Sequence, residues 1–154
     1  MEIFPDPAPP EGIQIHQDHP TLQVDLALVR TLVDTILRGE RREAASLNVI
    51  LTQGPVVRRL NEEWLSHAFN TDVLSFALNN SDRIDGEVYV SLDYARAHCE
   101  RFEATFLQEA CRYVAHGLLH LIGYADATEP DRAAMRRLED NYLRAAGILP
   151  VHPE

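Results

Sequence analysis

Hydrophobic residues recur at helical spacing in two stretches of the first half of the chain. Over residues 22–37 they follow one another mostly at intervals of three and four, which predicts an amphipathic helix that ends at Gly39. Thr52 and Pro55 are start signals for a second helix, which is expected to run to about Trp64. Both helices should place one apolar face against a core.

The second half of the chain contains stronger helix signals. Thr105 and Gln108 predict a capping box for a helix that continues to Gly123. The second half of this helix is apolar nearly all round, so the helix is expected to pass through the core. Ser91 and Thr128 are predicted to cap one helix before it and one after it. The buried face of the helix after Ser91 is expected to contain Leu92, Ala95, Cys99 and Phe102. The buried face of the helix after Thr128 is expected to contain Met135, Leu138 and Tyr142.

Four short segments have the alternation or the β-branched content that is typical of strands, at 13–16, 47–51, 73–77 and 87–91. Strands and helices are mixed along the chain, which predicts an α/β fold of the α+β type. We expect a small mixed four-stranded sheet covered by about five helices. A chain of 154 residues suits one domain. The expected organisation is a proline-rich leader at 1–12, a single domain at 13–147 and a C-terminal tail at 148–154.

The charge of the chain limits the kinds of partner that it can bind. It has 24 acidic and 14 basic residues and a formal net charge of −10, which argues against a protein that binds nucleic acid mainly through electrostatic attraction. The N-terminus lacks the pattern of a secretory signal, and no apolar run approaches the roughly 18 residues of a membrane helix. We therefore expect a cytoplasmic protein without a membrane partner, in which Cys99 and Cys111 are buried thiols.

One string in the central helix and the turn after it contains the candidate chemistry, HGLLHLIGYAD. His116 and His120 are four residues apart, so both imidazoles lie on one helical face, close enough to hold a single ion. Gly123 can end the helix with a positive φ and bring Asp126 back towards the histidines. Two imidazoles and a carboxylate leave one coordination position open, as a catalytic zinc requires. The string therefore predicts a metal site, and the domain at 13–147 is interpreted as a metallohydrolase.

The residue after the first histidine bears on the type of hydrolase. Metzincin proteases use the same spacing of ligands but carry a glutamate there as general base, and this chain has Gly117. This comparison is compatible with the predicted metal site but weakens the interpretation of the protein as a peptidase. Glycine also lowers helix propensity by about 1 kcal/mol relative to alanine. Its presence indicates that another group, such as a substrate, closely approaches this backbone.

A plainer interpretation of these residues involves no metal. A histidine pair on a helix is more often a hydrogen-bonded pair, and Asp126 with Glu129 could simply cap the last helix. For the bare pair this explanation is the better one. The complete string, with its helix-ending glycine and its carboxylate on an otherwise apolar helix, favours the metal.

The string resembles HGxLHLxGYDH, the signature of the YbeY family of metal-dependent single-strand endoribonucleases. Leu60 and Asn61, then TDVLSF at 71–76 and GEVYVSL at 86–92, resemble two further blocks of that family in the same order. The resemblance implies a mixed α/β fold around a zinc ion, with His116 and His120 as ligands. It also implies single-stranded RNA as the substrate, and a role in small-subunit (16S) rRNA maturation and ribosome quality control. The implied partners are RNA and the small ribosomal subunit or one of its proteins.

The chain departs from the family pattern at two positions. The third ligand, usually a histidine, falls at Asp126, which zinc chemistry permits because carboxylate oxygen binds at a similar distance. The arginine that usually follows the aromatic residue of the second block falls at Leu65, next to Trp64. A phosphate-binding group that the resemblance implies is therefore missing from that position.

Three residues are candidates for supporting roles. His67 lies in the loop beside Leu65 and is a candidate for both substrate binding and catalytic support. Asp72 could orient a ligand or water, although before a strand it could equally cap the chain. Gly117 is a candidate for contact with substrate. No residue stands out as general base, so the expected nucleophile is a metal-bound water.

Two alternative functions remain open at this point. One is a non-catalytic ribosome assembly factor that a metal stabilises, and the arginine missing at Leu65 favours it. The other is a different metallohydrolase, such as a divergent peptidase, for which the glutamate missing at Gly117 is the main objection.

Overall fold

The computed structural model describes residues 12–66, 71–79 and 82–150. In chain order the elements are β1 (Ile13–Gln17), α1 (Leu26–Gly39), β2 (Ala44–Thr52), α2 (Gly54–Leu65), β3 (Val73–Ala77), β4 (Ile84–Ser91), α3 (Leu92–His98), a 3-10 turn (Cys99–Phe102), α4 (Phe106–Ile122) and α5 (Glu129–Ala145).

The four strands form one mixed sheet in the order β1-β2-β4-β3. Strands β1, β2 and β4 run parallel to one another, and β3 pairs antiparallel with β4 at one edge. Side chains of β4 alternate between buried and partly buried positions, as expected for a strand with two unequal faces. The predicted fold class, a mixed four-stranded sheet with five helices, is confirmed.

Helix α4 lies in the centre of the domain, and more than half of its 17 residues are buried. Its start has the predicted capping box: the Thr105 hydroxyl accepts from Gln108 N at 3.1 Å, and Thr105 N donates to Gln108 Oε1 at 3.0 Å. The helix ends at Gly123, whose φ is +124°. Both ends of the helix that carries the two histidines are therefore fixed by local sequence.

Gly117 marks a place where α4 approaches the sheet closely. An added Cβ would lie 2.5 Å from Val88 Cγ1 and 2.9 Å from Val73 Cγ2. The Ser75 hydroxyl donates to the Gly117 carbonyl at 2.8 Å, which ties β3 to the helix. The predicted close approach is therefore made by the protein's own sheet. Gly117 is buried there, so this packing explains the glycine without the expected contact with substrate.

The structure corrects the sequence interpretation of two helices. Helix α1 begins at Leu26 rather than at residue 22, because the Asp25 side chain accepts from Ala27 N and caps the helix. The helix that starts after Ser91 turns into a 3-10 turn at Cys99. As a result Phe102, expected on its buried face, is 56% exposed.

Packing of the chain continues beyond residue 147. Ile148 is buried in the core, and its N–H donates to the Leu143 carbonyl at 2.8 Å. Ile148 therefore contacts the core directly after the predicted end of the domain. Both cysteines are buried, as predicted, and burial, with a smaller contribution from the charge of Asp25, raises the pKa of Cys111 to about 12. Among the helices of the described ranges, none combines the length and the apolar content that a membrane span requires.

The packing at Gly117 predicts that Gly117→Ala destabilises the protein although alanine is the better helix former. Overpacking against Val88 and Val73 should cost about 1–3 kcal/mol, and the gain of about 1 kcal/mol in helix propensity offsets only part of it, so the free energy of unfolding should fall by up to about 2 kcal/mol. Urea unfolding monitored by circular dichroism measures this difference.

Gly54→Ala is the matched control. An added Cβ at Gly54 meets Asp93 at an ordinary contact distance of 3.4 Å, so its free energy of unfolding should change by less than about 0.5 kcal/mol. A Gly117→Ala protein as stable as wild type would contradict the packing role.

Candidate metal centre

Three side chains converge beside the C-terminal half of α4. His116 and His120 lie one turn apart on this helix, and Asp126 lies in the loop between α4 and α5. The two Nε2 atoms are 3.0 Å apart, and Asp126 Oδ2 is 3.2 Å from each of them. The spacing therefore brings the three residues together as the sequence predicted.

The loop that carries Asp126 is held in place by backbone hydrogen bonds. Tyr124 N donates to the Leu119 carbonyl at 3.1 Å as the chain reverses at Gly123. Further along, the Arg132 guanidinium of α5 donates to the carbonyls of Ala127, at 3.1 Å, and Asp126, at 3.4 Å. Asp126 is thus positioned by its neighbours on both sides.

Each histidine is oriented by a hydrogen bond at Nδ1. His116 Nδ1 lies 2.7 Å from Glu139 Oε2, and His120 Nδ1 lies 2.9 Å from the Tyr124 carbonyl oxygen. A carbonyl only accepts hydrogen bonds, and so does an ionised carboxylate, so both Nδ1 atoms carry the proton. In the neutral tautomers both Nε2 atoms therefore present lone pairs to each other and to the Asp126 carboxylate. A proton or a metal ion shared among these acceptors relieves their repulsion.

The donor set fits a metal ion. Four ligands arranged tetrahedrally at about 2.0–2.1 Å from zinc are about 3.4 Å apart, close to the 3.0–3.2 Å spacing here. Two imidazoles and one carboxylate are also a zinc donor set that leaves a position for water or substrate. His116, His120 and Asp126 form the one group of potential ligands of this kind within the described ranges.

Behind His116 lies a chain of charged residues that joins α4 to α5. Glu139 is buried, with a side chain that is 6% exposed, and its second oxygen accepts from Arg112 at 3.0 Å. Arg112 also donates to Asp140 at 2.7 Å. The carboxylate that orients a ligand is therefore itself paired, as second-layer residues of metal sites commonly are.

Glu139 is a site residue that the sequence interpretation missed. A signal was present: Glu139 lies four residues after Met135 and four before Leu143, on the buried face of α5. An acidic residue on such a face requires a partner. Its partner, however, comes from another helix, so spacing along α5 alone could not identify it.

The electrostatic environment of His116 favours positive charge. Burial alone would lower its pKa, but the hydrogen bond and charge of Glu139, with the charges of Asp72 and Asp126, raise the pKa overall. The same carboxylates that stabilise a protonated imidazole also stabilise a metal ion on its Nε2. A proton and a metal therefore compete for this position.

Two cavities open onto the ligands. The first, here called the α5 cavity, has a volume of about 330 Å³ and reaches His116 and Asp126 from the side of α5. The second, the β3 cavity, has a volume of about 410 Å³ and reaches all three ligands along the edge strand β3. The ligands thus face open space on two sides.

The remaining candidates have different positions. Asp72 lines both cavities, and its Oδ1 accepts from Val73 N at 2.8 Å and from the Thr71 hydroxyl at 3.3 Å. His67 lies outside the described residues. Leu65, at the end of α2, is 44% exposed and is absent from the described lining of either cavity.

The position of Glu139 predicts that Glu139→Gln weakens metal binding. Loss of the carboxylate charge behind His116 should raise the Kd for zinc by roughly 10- to 100-fold. Competition with a chromogenic chelator measures this Kd, and urea unfolding of the metal-free protein measures the structural effect separately.

Glu129→Gln is the control, since Glu129 lies on the same helix with a side chain that is 92% exposed. Its Kd for zinc should match that of wild type. Equal zinc affinity in the Glu139 and Glu129 variants would contradict the positioning role of Glu139.

Sequence comparison identifies relatives of this chain among known proteins. A sequence model of the family Endoribonuclease YbeY matches residues 13–147. A Salinibacter ruber protein named endoribonuclease YbeY is 40% identical, and the match covers 94% of this chain and 97% of that protein. A Chlorobium phaeovibrioides protein of the same name is 39% identical, with 79% and 82% covered.

A solved structure agrees at the level of the fold. The solution structure of TM1509 from Thermotoga maritima superposes with a TM-score of 0.60 at 26% identity, over 86% of this chain and 89% of that one. The family match includes α4, the Asp126 loop and α5, so it covers the whole candidate site. The resemblance drawn from HGLLHLIGYAD and its companion blocks is confirmed, and this chain belongs to the endoribonuclease YbeY family.

Proposed function

We propose that this protein is a zinc-dependent endoribonuclease that hydrolyses phosphodiester bonds of single-stranded RNA. Its biological role is the maturation of 16S rRNA and ribosome quality control in the cytoplasm. The observation that carries this proposal is the convergence of two imidazole lone pairs and one carboxylate, 3.0–3.2 Å apart, beside two open cavities. Family membership supports RNA as the substrate.

The residues of this site have different roles. A zinc ion bound there would supply Lewis-acid stabilisation of the charge that develops on the phosphate and would activate water for attack. Glu139 and the Tyr124 carbonyl hold the imidazoles with their Nε2 atoms inwards. Asp126 closes the third side, and Asp72, which lines both cavities, orients the attacking water.

The shape and charge of the site favour single strands and a partner. A flexible strand can bend its backbone into a cleft that a rigid duplex cannot enter. Because the chain has a net charge of −10, its surface repels RNA at long range. Recruitment therefore depends on the small ribosomal subunit or one of its proteins, and partner-free binding of arbitrary RNA at physiological salt is weak.

Cleavage of a labelled single-stranded RNA tests the enzymatic proposal. Removal of zinc by a chelator, or the substitution His116→Ala, should lower the cleavage rate by roughly 100-fold or more, since both remove the Lewis acid. Gel analysis of the products measures the rate. His16→Ala is the control, because His16 is exposed on β1 and contacts Asn48 rather than the metal ligands.

The opposite result is equally informative. If zinc binds at one ion per chain but wild-type protein cuts no RNA, alone or on small ribosomal subunits, the enzymatic proposal is wrong. A metal-stabilised assembly factor would then explain the site. Cleavage of a peptide instead of RNA would favour the divergent peptidase.

A further inference from the structure

Phe102 lies at the rim of the α5 cavity, where the sequence pattern did not place it. The 3-10 turn ends there because Glu103 adopts a left-handed conformation, with a φ of +54°. The Phe102 ring is 56% exposed and lines the same cavity as His116 and Asp126. An exposed aromatic ring beside a hydrolytic site is a surface on which a planar group can stack.

Other rings line the same cavity. Tyr94 and His98 stack with their centroids 3.9 Å apart and their planes at 11°. His98 Nδ1 lies 2.8 Å from the Tyr94 carbonyl, which fixes the imidazole on the tyrosine. Tyr113 meets Tyr94 edge to face at 6.1 Å. The wall between α3 and α4 is therefore aromatic and held in place.

Helices α4 and α5 supply positive charge to this cavity. Arg112 and Arg132 line it but are engaged, by Glu139 and Asp140 and by the carbonyls of the Asp126 loop. Arg136 also lines the cavity and is exposed, and no hydrogen bond or ion pair engages it in the part of the chain that the structure describes. Its guanidinium is available to an anionic ligand.

The sign of the net charge in the α5 cavity depends on the metal. Among the residues that the structure describes, and with His116 counted as neutral, four carboxylates line it, those of Asp72, Glu109, Asp126 and Glu139, against the three guanidinium groups of Arg112, Arg132 and Arg136. A divalent cation at the histidines changes the balance from negative to positive. A phosphate is therefore attracted to the metal-loaded cavity, and its volume of about 330 Å³ lies within the range of small-ligand sites.

We propose that the α5 cavity is a nucleotide-binding subsite, in which a base of single-stranded RNA stacks on Phe102 and Arg136 pairs with the adjacent phosphate. The subsite rests on the proposed function, since it holds the strand on one side of the phosphate to be cleaved. Stacking on an aromatic ring accepts any base, so the subsite contributes affinity without sequence preference.

Binding of a fluorescein-labelled 2′-O-methyl octauridylate to the zinc-loaded protein tests this inference. A gel after each anisotropy titration confirms that the probe is intact. Phe102→Leu keeps the apolar volume but removes the ring, and it should weaken binding about fivefold or more, whereas Phe102→Trp should bind as wild type does. An abasic probe of equal length should bind wild type and Phe102→Leu equally.

Arg136→Ala tests the phosphate contact. It should weaken both probes, and the slope of log K against log salt should fall in magnitude by about 0.7, the value for one lost contact to a single strand. Arg137→Ala is the matched control, because Arg137 is exposed on the same helix and is absent from the described lining of the cavity. Its affinity and salt slope should equal those of wild type.

Any of three results would overturn the subsite. One is equal loss of affinity in the Arg136 and Arg137 variants, which would indicate a general charge effect. The others are unchanged binding by Phe102→Leu and no binding of the octamer by wild type. If the variants behave as expected but zinc-loaded wild type cuts no RNA, the proposed hydrolysis is wrong and the nucleotide subsite stands.

Discussion

The structure depends on holding three electron-pair donors together against their mutual repulsion. His116 Nε2, His120 Nε2 and Asp126 Oδ2 lie within 3.2 Å of one another, whereas free in water each would be hydrogen-bonded to solvent. The fold resists their separation in several ways. Helix α4 is buried along most of its length and is packed onto the sheet at Gly117, so the histidines cannot move apart without disturbing the core. The fold itself thus contributes to the geometry of the three ligands.

This contribution extends beyond the ligands into the packing of α4 against α5. The chain from His116 through Glu139 and Arg112 to Asp140 places charges of alternating sign in a largely buried region. Breaking such a chain at one member leaves an uncompensated buried charge, which is strongly unfavourable. The position of α5 and the orientation of His116 are therefore coupled. A substitution in this helix interface can alter the metal site without touching a ligand.

Local signals in the sequence predicted the parts of the site that local interactions determine. The capping box at Thr105, the histidine spacing and the reversal at Gly123 each involve residues within about one turn of each other. Glu139 escaped prediction because its partner His116 is 23 residues away on another helix. The prediction for Phe102 was wrong because the helical spacing of apolar residues continues to this position, whereas the helix has already changed into the 3-10 turn. Its outward position follows from the 3-10 turn, which apolar spacing alone does not reveal.

The acidic composition of the chain and its polyanionic substrate are compatible only if charge is arranged locally. At Leu65, where the family resemblance implies an arginine, the chain has none, and the arginines near the ligands come from α4 and α5 instead. Because carboxylates outnumber guanidinium groups in the α5 cavity, the metal determines whether that cavity attracts or repels a phosphate. Metal and RNA binding are then thermodynamically linked, and each must raise the affinity for the other by the same factor. If RNA binds in the α5 cavity as proposed, the metal-dependent charge of that cavity keeps the metal-free protein off RNA, so binding and catalytic competence arise together.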